Sequence, residues 1–106
     1  MTKILKGARM NPLARKQKIL DAAIHLAIEI GYRNITRKDV ATRSDSAQGL
    51  VSRYFKTIAN LRHEVLKEAV NREIMPILVE NLSARDFDRI PVSPELKQKV
   101  ILYLTN

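Results

Sequence analysis

A joint of three polar residues, Ser44-Asp45-Ser46, separates two short segments that both read as helix. Ser and Asp satisfy neighbouring backbone groups locally and Asp tolerates the left-handed region, so the joint is a turn. Before it, Thr36 is placed to cap a helix, with Asp39 three residues on, where a carboxylate favours the helix start. Val40 and Ala41 are that helix's core positions, and it runs to about Arg43 or Ser44. After the joint, a further helix spans Ala47 to Tyr54 or Phe55. Gly49 lies inside it at a cost of roughly 1 kcal/mol against alanine, so something approaches the backbone closely there, either another helix or DNA. Ahead of both lies a longer helix. Asn11-Pro12 is its cap and first residue, Ile19, Ala23, Leu26, Ala27 and Ile30 form its buried stripe, and Gly31 ends it with a positive φ. A longer helix followed by two short ones across a tight turn is helix-turn-helix architecture.

The rest of the chain also reads as helix. From about Ala59 one stripe holds Ile58, Leu61, Val65 and Ala69, and a second, rotated stripe holds Leu66, Val70, Ile74, Ile77 and Leu78, which implies contact on two sides. Pro76 kinks or breaks this long helix near Arg72 to Met75. Residues 83–90 read as a loop with Phe87 as an anchor. Ser93-Pro94-Glu95 repeats the cap-then-proline start, and Leu96, Val100 and Leu104 mark a short final helix. The fold class is all-α, with about five helices.

At 106 residues the chain suits one compact domain. It lacks cysteine, so neither a disulfide framework nor a thiolate metal site arises. No window is a membrane span, and residues 1–10 lack the apolar run of a secretory signal. Charge is unevenly spread: residues 1–63 hold thirteen basic and four acidic side chains, residues 64–106 six and seven. A basic half joined to a nearly neutral one suggests a surface for a polyanion and a separate face for other contacts. A solvated basic surface is the plainer account, and charge alone does not separate DNA from RNA or acidic lipid.

The ordered set Ile19-Leu20-Asp21-Ala22-Ala23, Leu26, Glu29, Gly31-Tyr32, Thr36, Val40-Ala41, Gly49, Tyr54-Phe55-Lys56 and Leu61 resembles the DNA-binding domain of the TetR (tetracycline-repressor) family of bacterial transcription regulators. The resemblance runs from Lys18 to Leu66. It implies a three-helix unit whose third helix enters the major groove, acting as a dimer on a palindromic operator. The departures are specific. Where the family turn is close to Ala-Gly-Val-Ser, this chain has Ser44-Asp45-Ser46-Ala47. Ser52 replaces a common tyrosine, and Ile58 replaces a common lysine at the start of the fourth helix. Family members usually continue into a large inducer-binding domain, whereas about forty residues follow Leu66. No small-molecule inducer pocket is expected in them. The chain is either a fragment or a miniature that keeps DNA binding.

Base edges are read by side chains projecting from the recognition helix, which nominates Gln48, Gly49, Leu50, Ser52 and Arg53. Gln48 suits adenine and Arg53 suits guanine. Leu50 packs on a thymine methyl or on the first helix, and both readings stay open. Gly49 lets the helix approach closely. The phosphate-contacting set is Thr36, Arg37, Lys38, Arg43, Tyr54 and Lys56, with Phe55 assigned to the core and Tyr54 to phosphate. Lys3, Lys6, Arg9, Arg15, Lys16 and Lys18 add backbone or minor-groove contacts, or form an exposed basic tail.

His25 and His63 are isolated, Asp86 and Asp88 fall in the loop, and no phosphate-cradling glycine loop occurs, so neither an enzyme nor a cofactor or metal is expected. The expected organisation is a basic arm over 1–11, a DNA-binding domain over 12–57, and a helical dimerisation or partner segment over 58–106 packed on it. The expected function is a cytoplasmic, nucleoid-associated, dimeric repressor on double-stranded DNA, with no membrane partner. A DNA-associated structural or adaptor protein of nucleoid, partition or cell-division type is the alternative. A protein-interaction module with a degenerate helix-turn-helix is the third, and the basic first half argues against it.

Overall fold

The computed structural model describes residues 11–83 and 90–105. Six α-helices and one 3-10 turn make up the described residues: α1 Pro12–Ile30, the turn Tyr32–Asn34, α2 Arg37–Ser44, α3 Gln48–Phe55, α4 Ile58–Arg72, α5 Met75–Ser83 and α6 Pro94–Thr105. The basic residues Lys3, Lys6 and Arg9, together with Asp86, Phe87 and Asp88, lie outside the described residues.

Local chemistry sets the helix boundaries. The Ala14 N–H donates to Asn11 Oδ1 at 2.9 Å, and Pro12 follows as the first helical residue, where its missing N–H costs nothing. Gly31 ends α1 with φ 93°, and Asn34 Nδ2 donates to the Ile30 carbonyl at 2.6 Å, covering one of its orphan acceptors. Thr36 accepts from the Asp39 N–H at 3.1 Å, Thr57 from Asn60 at 3.0 Å, and Ser93 from Leu96 at 3.1 Å. The long helix expected after Ala59 starts at Ile58, ends at Arg72 and restarts at Met75. Glu73 takes the left-handed conformation (φ 54°) and the Ile74 N–H reaches back to the Ala69 carbonyl at 2.9 Å, closing α4. Pro76 then falls in the first turn of α5, where a proline is tolerated. That break, in place of a kink, is why there are six helices where the spacing suggested about five.

One continuous core joins all of these elements. Ile19, Ala23 and Ala27 of α1 meet Val40 and Ala41 of α2, Val51 and Phe55 of α3, and Leu61, Val65 and Ala69 of α4. Each large apolar side chain buried here contributes about 1.5–3 kcal/mol. α1 is the central strut, packed against α2, α4 and α5. Its buried arc is therefore wider than one stripe, and Leu20, Ala22 and Ile24 are buried too. Ile30, expected in the stripe, is exposed, because the chain turns away at Gly31 before any element covers the last turn.

Both stripes of the expected long helix are used within the chain. Leu61, Val65, Leu66 and Ala69 are buried on α4, and Ile77 and Leu78 on α5; Ile58, Val70 and Ile74 are half-buried against the same core. In α6, Leu96 and Val100 are buried but Leu104 is 60% exposed, since the helix's contact with α5 is made by its earlier turns. Two polar side chains tie the last elements down. Asn81, fully buried, donates to the Ile90 carbonyl and accepts from the Ile90 N–H. Glu80 accepts from the Tyr32 N–H at 2.8 Å and, more weakly, from the Arg33 N–H, linking α5 to the loop that precedes α2.

Candidate nucleic-acid interface

The joint between α2 and α3 is held by its backbone. Asp45 adopts the left-handed conformation (φ 56°, ψ 48°) and the Ser46 N–H donates to the Ala41 carbonyl at 2.9 Å. A left-handed residue at a helix end favours glycine, and aspartate is among the few others that accept it at modest cost. Ser44 is buried with its hydroxyl donating to the Ala41 carbonyl, and the half-buried Ser46 hydroxyl donates to the Ser44 carbonyl. Both serine hydroxyls of the joint are thus bonded to backbone carbonyls within it. α3 begins one residue later than expected, with Ala47 as a cap residue that offers no side-chain acceptor.

α3 divides sharply into two faces. Val51 and Phe55 are buried, and Leu50 and Tyr54 are half-buried against the core. The assignment of Phe55 to the core holds at 3% exposure, with Lys16 Nζ 5.4 Å above its ring. Gln48, Gly49 and Arg53 are exposed together on the outer face. A Cβ at Gly49 would have no neighbour within 4 Å. Of the two explanations for that glycine, another helix is thus not the one among the described residues.

Ser52 sits between the faces, half-buried, and its hydroxyl accepts from Arg37 Nη1 at 2.6 Å. The expected phosphate-contacting residues divide as well. Thr36, Arg37, Lys38 and Lys56 are exposed at the near ends of α2 and α3. Arg43 is engaged elsewhere: its guanidinium donates twice to the Glu29 carboxylate, at 2.7 and 3.0 Å. That pairing holds the Glu29 carboxyl below its ordinary pKa, chiefly through the hydrogen bond from Arg43.

Lys56 has an unusual backbone, φ 69° and ψ −64°, and its neighbour's N–H on Thr57 donates back to the Phe55 carbonyl at 2.8 Å. This three-residue γ-turn is rare and strained for a residue with a Cβ. It swings the chain from α3 into α4 and brings the starts of α2 and α4 side by side. An open cleft of about 380 Å³ results, lined by Thr36, Arg37, Lys56, Thr57, Ile58 and Arg62. The positive ends of two helices meet three cationic side chains here, an arrangement suited to an oxyanion. Thr57 and Arg62 were not legible as site residues from the sequence. Thr57 carries a capping signal, Thr ahead of an apolar stripe, but Arg62 reaches the cleft only because α4 crosses behind Ile35, whose carbonyl accepts from Arg62 Nη2 at 3.1 Å. Ile58, where the family has lysine, is half-buried against the core, and Arg62, one turn on, supplies a cation to the same cleft.

Among the described residues no helix is long and apolar enough to cross a membrane, and no three His, Asp or Glu side chains are placed to hold a metal ion. Both histidines are exposed.

Residues 19–65 match the family model of the bacterial regulatory proteins, tetR family. This segment is a TetR-family DNA-binding domain. The TetR match covers α1 from its first buried residue, the whole helix-turn-helix and the first half of α4, somewhat less than half of the chain. The match supports DNA binding of the kind made by these transcription regulators. Searches of the curated proteins and of the solved structures each returned no match.

Proposed function

We propose that the chain is a cytoplasmic, nucleoid-associated, dimeric repressor that occupies a palindromic operator on double-stranded DNA through α3. The observation that carries this reading is the outer face of α3. Among the described residues nothing else occupies it at Gly49, which is flanked by Gln48 and Arg53 and set beside the cationic cleft at the starts of α2 and α4. Gln48 and Arg53 are the base readers, since their donors and acceptors can pair bidentately with adenine and guanine edges. Leu50 supports the helix from its half-buried side. Thr36, Arg37, Lys38, Tyr54 and Lys56 contact phosphate. In the division proposed here, residues 12–57 read DNA, residues 58–106 pack on them and carry the dimer contact, and the arm over 1–11 adds charge.

Dimerisation is supported by the last turn of α6, where Ile101, Leu102, Tyr103 and Leu104 are all about half exposed or more. Four consecutive apolar residues face nearly every direction around a helix. Occupancy of the operator is then set by protein abundance or a partner.

Selection of bound duplexes from a random pool tests specificity, symmetry and half-site spacing together. The expected result is a palindrome with half-sites about one helical turn apart. Recovery of many unrelated sequences with equal affinity would refute the repressor reading in favour of a DNA-associated structural protein. A monomer by sedimentation at tens of micromolar, both free and on DNA, would refute the dimer.

A further inference from the structure

Ser52 lies on the recognition helix at a position that suits a base reader, and its hydroxyl is small enough to bond with any base edge. Its geometry assigns it other work. Ser52 is half-buried while Gln48, Gly49 and Arg53 stand clear of the protein, and its hydroxyl oxygen is the acceptor of a 2.6 Å hydrogen bond from Arg37 Nη1. Arg37 is the first residue of α2, fifteen positions away, so this bond spans the two helices of the motif.

The two arginines of α2 differ in a way that bears on their roles. Arg43, at its end, is closed by a carboxylate through two hydrogen bonds. Arg37, at its beginning, has no carboxylate within ion-pair distance among the described residues, and its only side-chain partner there is the neutral Ser52 hydroxyl. A guanidinium carries five N–H donors, so one bond to serine leaves most of its donors and all of its charge available. It lines the cleft that Thr36, Lys56, Thr57 and Arg62 also line. A long arginine left unanchored would lose side-chain entropy when it met a ligand, about 0.5–1.5 kcal/mol for a rotamer-rich side chain. Anchoring it beforehand removes part of that cost.

We infer that Ser52 is a positioning residue that holds the Arg37 guanidinium against the recognition helix, aimed at a backbone phosphate at the edge of the major groove, and that Ser52 itself reads no base. The inference rests on the proposed entry of α3 into the groove. It adds a specific link: the register of α3 on DNA is fixed through Arg37, from the neighbouring helix, by way of a serine on α3. Arg37 and Ser52 then act as one unit: removing Arg37 removes the phosphate contact, and removing Ser52 weakens that same contact.

The test uses the full chain and the best duplex from the selection, with Ser52→Ala, Ser52→Thr, Arg37→Ala and the Ser52→Ala/Arg37→Ala pair, each checked for unchanged helical content by circular dichroism. Affinity is measured over a salt series and against duplexes carrying every single base change. Arg37→Ala is expected to weaken binding to all duplexes alike and to lower the salt slope by about 1. Ser52→Ala is expected to weaken all duplexes by a few-fold without altering base preference, Ser52→Thr to restore binding because it keeps a hydroxyl, and Ser52→Ala to add nothing once Arg37 is gone. Loss of preference at one base pair in Ser52→Ala, or additive effects in the double variant, overturns the inference and returns Ser52 to the readers. If the unaltered chain shows no preference among duplexes, the repressor reading fails instead, and the two failures are told apart by that control.

Discussion

Gly49→Ala sets the demands of folding and of binding against each other. Glycine in a helix is less favourable than alanine by about 0.5–1 kcal/mol, since the backbone loses more freedom on ordering. The new methyl has no neighbour within 4 Å among the described residues, and Gly49 is not among the residues with a positive φ, so neither a clash nor backbone strain opposes the gain. Gly49→Ala should therefore raise stability by about 0.5–1 kcal/mol, or about 2–6 °C in Tm for a domain of this size. DNA binding should move the other way. If the glycine is there so that DNA can come close, a methyl on that face removes the contact, at about 1–3 kcal/mol, roughly 5- to 150-fold in Kd. Thermal unfolding and fluorescence anisotropy with the selected duplex, on the same preparation, measure both. Lower stability would mean the outer face is not open. Higher stability with undiminished affinity would falsify the close-approach argument, leaving Gly49 a tolerated imperfection.

Lys56→Gly should stabilise the fold by roughly 1 kcal/mol by relieving the γ-turn strain, yet weaken DNA binding and lower the salt slope by about 1; urea unfolding and a salt titration report the two separately. Glu29→Gln should leave the fold intact and tighten DNA binding a few-fold at low salt, because Arg43 loses its anionic partner and is free to reach phosphate; unchanged affinity would place Arg43 away from the duplex. Since Arg43 holds the Glu29 carboxyl below its ordinary pKa, the pair contributes above that group's unfolded value and opens only as pH falls through the depressed one. Carbon-detected titration of Glu29 should accordingly show a midpoint below the ordinary glutamate value, and the shift should vanish in Arg43→Ala. Asn81→Ala should destabilise by about 2 kcal/mol, since the Ile90 N–H and carbonyl both lose a buried partner; a loss under about 0.5 kcal/mol in urea unfolding would show that these groups find water instead.

The sequence by itself determined the elements that local chemistry controls. The caps at Asn11, Thr36 and Ser93, the glycine exit of α1, the turn at Ser44-Asp45-Ser46 and the break before Pro76 each depend on residues within one helical turn, so neighbours in the chain suffice to specify them. The apolar spacing in α1, α2 and α4 marked most of the core for the same reason. Tertiary structure alone decided which of these features acquired a second role. Ile30 and Leu104 fit their stripes, but whether another element covers a helix's last turn is settled by where the chain goes next. Glu29 meets Arg43, Ser52 meets Arg37, and Arg62 joins Thr36 and Thr57 across separations in sequence that no periodicity encodes. The basic residues of the motif are alike on the page. Only the fold shows that Arg43 faces a carboxylate while Arg37 is anchored and open, because a charge's partners are set by the packing of whole helices and not by its neighbours in the chain.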